Sequence, residues 1–213
     1  MNQWFRRLAE VPGIEYECSP NIDRSLLPEH DAIPEVGTYT FDGKIHDSIS
    51  WKTTEGSTSA SPAHRWQGWG HIPEPRLNEA LTQAILRQCQ ETLELPGILS
   101  DYHHALQSCH ELLWKHRRQD TWIITEIERL CLLDIQLDEV QNSISSERNR
   151  GFNLSWGRLI QLYENEGNLY EAFALARRVD TLYPRDESKD YWRETSTVKL
   201  QPRIDRLEAE DDA

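Results

Sequence analysis

Along residues 11–75 apolar positions are scattered among Pro, Gly, Ser and Thr, and no three- or four-residue spacing lasts long enough to predict a helix. One local pattern stands out, GTYTFDGKIHDSISW, where Asp42-Gly43 separates two short alternating runs. Asp and Gly tolerate the positive φ of a tight turn, so this stretch predicts a β-hairpin from about Thr38 to Trp51. Beyond Pro73 and Pro75 the period changes. Leu77, Leu81, Ala84, Ile85, Cys89 and Leu93 recur at helical spacing, and Leu95-Pro96-Gly97 ends that helix. Tyr102, Leu106, Cys109 and Leu113 line a second helix, which closes with Lys115, His116, Arg117 and Arg118, where positive charge suits the helix dipole.

A third helix follows. Asp120 is placed to cap it, and Ile123, Ile127, Leu130, Leu133, Leu137, Val140 and Ile144 form its apolar stripe. Arg148, Arg150 and Gly151 mark its expected end, with Gly supplying a left-handed cap. Such a helix would be about 45 Å long, and a kink or short turn is expected near Leu137 to Gln141. The chain therefore reads as two regions: residues 1–75, irregular with one hairpin, and residues 76–213, helical and ending in an acidic tail. The expected fold class is mainly α, a repeat-like stack of antiparallel helices preceded by the irregular region.

Residues 153–186 carry the order Trp156, Leu159, Tyr163, Gly167, Ala172 and Pro184. This order resembles one tetratricopeptide repeat, a helix pair of about 34 residues. Trp156, Leu159 and Tyr163 share a face of the first helix, Gly167 ends it, and Asn168 with Glu171 suits the start of the next. Ala172 is the small residue at the helix crossing, and Pro184 stops the second helix. Two positions depart from the pattern: Ile160 stands where the family has a small residue, and Ala176 where it has an aromatic, with Phe173 nearby. Trp122 lies one repeat length before Trp156, but Thr125 and Arg129 then fall on apolar positions of the pattern, so the preceding helices are repeat-like at most. The resemblance implies a peptide-binding face on the first helix, with Gly157, Arg158, Gln161, Glu164 and Asn165 pointing outward. Arg158 with Asn165 would suit a carboxylate or the backbone of an extended peptide; a plain solvated helix face is the alternative.

Composition narrows the function classes. Hydrophobic residues make up 38% of the 213 and charged ones 28%, a globular but polar balance. The net charge of −13 sets the surface against phosphate backbones and anionic lipid, which argues against broad nucleic-acid or membrane-surface binding and suits either simple solubility or a basic protein partner. No run is apolar enough for a bilayer span or a signal peptide, so a cytoplasmic protein is expected. Cys18, Cys89, Cys109 and Cys131 are widely spaced, and the last three fall on helical patterns as reduced core residues.

Candidate chemistry is sparse. The sequence has no phosphate loop, nucleophile elbow, HExxH or paired CxxC. His103, His104, Cys109, His110 and His116 share the second helix, but no pair of these His residues has the three- or four-residue spacing that converges on a metal, so neither metal nor cofactor is expected. His46, Glu55, His64 and His71 are the only other cluster of interest, and no geometry joins them. Of eight Trp, Trp66 and Trp69 lie in the Gly- and Pro-punctuated HRWQGWGHIPEP, either as exposed binding anchors or as a lid docked on the helices. The reading is a non-enzymatic adaptor or assembly subunit whose protein partner would meet Arg158, Gln161, Asn165, Trp66 and Trp69. The alternative is a small acidic inhibitor, of the antitoxin or immunity type, covering a basic site. Oligomeric state is left open.

Overall fold

The computed structural model describes residues 4–53, 56–58, 60–67, 71–144, 153–182 and 197–211. The protein is mainly helical. It divides into two compact units, 1–146 and 147–213, so the boundary expected near residue 75 falls inside the first unit. Among the described residues no helix is long and apolar enough to cross a membrane.

In the first unit, β1 (Trp4–Phe5) pairs antiparallel with β5 (Gly97–Ile98), placing Trp4 opposite Ile98 and Phe5 opposite Gly97. This pairing ties the N-terminus to the chain just after Pro96. The hairpin forms, and it is longer than expected. β2 (Glu35–Phe41) and β3 (Lys44–Thr53) pair around Asp42 and Gly43, at φ of 50° and 71°, and β4 (Gly56–Thr58) adds a third strand on the far side of β3. Two positive φ values in a two-residue loop match the right-handed strand twist. Trp51 is buried, with its ring centroid 5.4 Å from that of Trp4.

The helices follow. α1 (Pro62–Gln67) was not foreseen; it buries Ala63 and donates from the Ala63 N–H to the Pro96 carbonyl. A Cβ at Gly97 would lie 2.9 Å from the Ala63 Cβ, so only glycine allows this approach. α2 (Leu81–Leu93) begins four residues later than the apolar spacing predicts, and Leu77 is 93% exposed. Asn78 has a φ of 64°, and the Gln83 side chain accepts from the Ala80 N–H at 3.1 Å, fixing the start there. α3 (Leu99–Trp114) packs against α2 and α4 (Thr121–Ile144). Its last turn is capped by Arg117, whose Nη1 donates to the Trp114 carbonyl at 2.9 Å. Asp120 accepts from the Trp122 N–H at 3.4 Å at the head of α4, which runs through Leu137 to Gln141 without a break. The expected extension to Arg150 lies outside the described residues. Leu93, Leu106, Leu113, Ile123, Ile127 and Leu130 are fully buried between these helices.

The second unit holds α5 (Leu154–Glu166), α6 (Leu169–Leu182) and α7 (Thr197–Asp211). In the last, Leu200 and Ile204, one turn apart, are buried and α7 packs on α6, while residues 205–210, which lead into the acidic end, are exposed. The signal was a short apolar spacing among charged residues, interrupted by Pro202.

Candidate protein-binding sites

The α5–α6 pair is built by its termini and its seam. The Asn153 Oδ1 accepts from the Ser155 N–H at 2.8 Å, capping α5. Gly167 takes the left-handed conformation at φ 82°, and the Asn168 N–H reaches back to the Tyr163 carbonyl at 2.8 Å, closing the helix end. Trp156, Leu159 and Ala172 are fully buried and Tyr163 is half-buried. Both departures from the repeat pattern sit inside the seam: Ile160 and Ala176 are buried, a larger residue on one helix and a smaller one on the other. The Arg178 guanidinium lies 5.6 Å from the centre of the Trp156 ring.

On the outer side, Arg158 Nη1 donates to Gln161 Oε1 at 2.8 Å, and Asn165 is exposed two turns on from Arg158. The structure thus brings Arg158 and Gln161 together. Glu164 is placed differently from the expectation that it faces a ligand: Arg203 Nη1 at 2.8 Å and Lys199 Nζ at 3.2 Å hold it against α7. Pro184 lies outside the described residues, as does Trp69.

Trp66 is not in an irregular loop. It sits on α1, half-buried; its Nε1 donates to Glu91 Oε2 at 3.3 Å and its carbonyl accepts from Gln88 Nε2 at 3.0 Å. The ring is docked on the protein's own α2. Glu91, only 3% exposed, also collects Arg76 at 2.8 Å and Arg87 at 3.2 Å, and Arg87 binds Glu79 at 2.8 Å. That contact holds the Glu79 carboxyl below its ordinary range and raises Arg87.

Several polar groups in the first unit escaped the sequence reading. The Glu94 side chain is fully buried between Leu93 and Leu95, with Arg7 Nη1 3.6 Å away. Burial, then the nearby Glu94 carboxylate, pushes the Cys18 thiol up to about 11, and burial with the Glu94 charge pushes Tyr16 above its usual value. These thiol and phenol groups stay protonated at neutral pH, which suits packing rather than nucleophilic chemistry. A charged residue inside the apolar run Leu93-Glu94-Leu95 was the available signal.

The histidines do not assemble. His103 Nδ1 lies 2.7 Å from Asp134 Oδ1, and His64 Nδ1 lies 3.6 Å from Asp101 Oδ1. His104 lines a cavity of about 440 Å³ between α2 and α3, together with Cys89 and Cys109. Burial, then the neighbouring His103, lowers its pKa. The two thiols cross reciprocally at that packing: Cys89 Sγ donates to the Ala105 carbonyl at 3.6 Å and Cys109 Sγ to the Ile85 carbonyl at 3.8 Å. Among the described residues no three His, Cys, Asp or Glu side chains are arranged to hold a metal ion. Glu55 and the His46 side chain lie outside the described residues.

The chain matches no protein-family model, no curated protein and no solved structure.

Proposed function

We propose that this protein is a non-catalytic adaptor or assembly subunit, and that its C-terminal unit binds a protein partner through the outer face of α5. The supporting observation is the division of labour on that helix. Trp156 and Leu159 are wholly committed to the seam with α6, while Arg158, Gln161 and Asn165 form a polar row on the other side. A packed helix pair holds such a row rigid, which lowers the entropy lost on binding. Cytoplasmic residence belongs to the same proposal, supported by three buried free thiols, Cys89, Cys109 and Cys131.

Affinity purification from the native host, run with wild type and with an Arg158→Ala, Asn165→Ala double variant, tests the reading. A stoichiometric partner retained by wild type and lost by the variant supports it. A partner retained equally by both removes the α5 face from the binding surface. The second reading, an acidic protein that covers a basic site, is supported by the net charge of −13.

A further inference from the structure

Two cavities of about 540 and 460 Å³ adjoin on the first unit, sharing Ser19 and Gln90 in their walls. They form one groove between the 15–22 segment and the sides of α2 and α4. Its segment wall is fixed in place. The Tyr16 hydroxyl is buried, and the Glu15 N–H donates to Gln136 Oε1 on α4 at 3.2 Å. A preformed wall spares a ligand the cost of ordering it.

The groove's charge is unbalanced in a definite place. Its three arginines are each engaged by a glutamate of the groove itself: Arg129 by Glu126 at 2.7 Å, Arg76 by Glu91 at 2.8 Å, and Arg87 by Glu79 at 2.8 Å. Glu15 and Glu17 remain, exposed on the lip and without an ion-pair partner among the described residues. Beside them Leu132 is 41% exposed, and the half-buried Trp122 closes the other end. Free carboxylates at one end, an exposed leucine along the wall and an indole at the far end alternate anionic and apolar contact along one channel.

We propose that this groove takes an extended basic segment of a protein partner, seating a lysine or arginine at Glu15 and Glu17 and apolar side chains on Leu132 and toward Trp122. The proposal rests on reading the protein as a binder of other proteins and adds the partner's chemistry. Charge complementarity selects the occupant: a basic segment gains attraction from both lip carboxylates, whereas an anionic one would be repelled by them.

The test uses the full chain and a short labelled peptide alternating arginine with leucine, its glutamate-for-arginine counterpart, and fluorescence anisotropy. A Glu15→Gln, Glu17→Gln double variant is set against a Glu208→Gln, Glu210→Gln control, which changes the net charge equally on exposed positions of α7. The expected result is binding of the basic peptide alone, weakened about tenfold by the lip pair and less than about twofold by the control. Absence of binding, equal weakening by both pairs, or equal binding of the acidic peptide would overturn the groove. None of those results touches the α5 face, whose own test reads Arg158 and Asn165 with the native partner.

Discussion

His103 Nδ1 on α3 lies 2.7 Å from Oδ1 of Asp134 on α4, and the Asp134 side chain is fully buried. The contact spans the α3–α4 packing and satisfies part of a carboxylate withdrawn from water. His103→Ala removes the donor while leaving the acceptor buried, which is expected to cost about 1–3 kcal/mol. Denaturant unfolding followed by far-UV ellipticity measures it, and an unchanged midpoint would show that other partners suffice for Asp134.

Trp156 is fully buried at the α5–α6 seam. Replacing it with Ala leaves a cavity that three short helices cannot collapse to fill, so Trp156→Ala is expected to cost about 3–5 kcal/mol. The loss should appear in the unfolding of the C-terminal unit. A wild-type melting curve for the variant would be incompatible with the packing described.

The parts legible in the sequence are those whose contacts are local. The stripes from Leu81 to Leu93 and from Ile123 to Leu137 announce their helices because every turn buries a residue, and Asp42-Gly43 announces the hairpin because the turn's chemistry is contained in two residues. Leu77 misled because it continues the period; capping at Ala80, set by the Gln83 side chain, overrides spacing. α7 was missed because its apolar positions are few and Pro202 interrupts them. The docking of the N-terminal region was not legible at all, since it depends on partners far apart in the chain: the Arg24 Nε donates to the Glu94 carbonyl at 2.9 Å, and Tyr102 donates from its hydroxyl to the Leu95 carbonyl while lying 3.4 Å from the Phe5 carbonyl. The groove was invisible for the same reason, its walls coming from three separated segments.

His104 has its pKa lowered from the ordinary histidine range, first by burial and then by His103. The folded protein thus favours neutral His104 more than the unfolded chain does. Its contribution to stability is fully present above the unfolded value and is lost as pH falls through the lower folded value. Wild type should therefore lose stability below about pH 6.5 more steeply than His104→Gln, with the two converging in slope near neutral pH. Thermal melts across pH 5 to 8 check this, and parallel curves would remove His104 as a source of the dependence.

Salt separates the two ways in which a protein of net charge −13 can hold a partner. If the summed acidic surface supplies the attraction, affinity should fall steeply past physiological ionic strength, where the screening length drops below about 8 Å and exposed charges cease to act at a distance. If contact at the α5 face supplies it, affinity should survive salt and collapse on Arg158→Ala. The second outcome is expected, because Arg158 is held in place by Gln161 at 2.8 Å on a helix whose opposite face is locked into the seam. A pre-placed guanidinium loses little side-chain entropy on binding, and a bidentate contact to a carboxylate or backbone is short-ranged and only weakly screened. The measurement is the dissociation constant of the purified complex at low and high salt for wild type and for Arg158→Ala. Strong salt dependence with no effect of the substitution would reject the α5 face and leave the acidic surface, with its Glu15 and Glu17 lip, as the means of attachment.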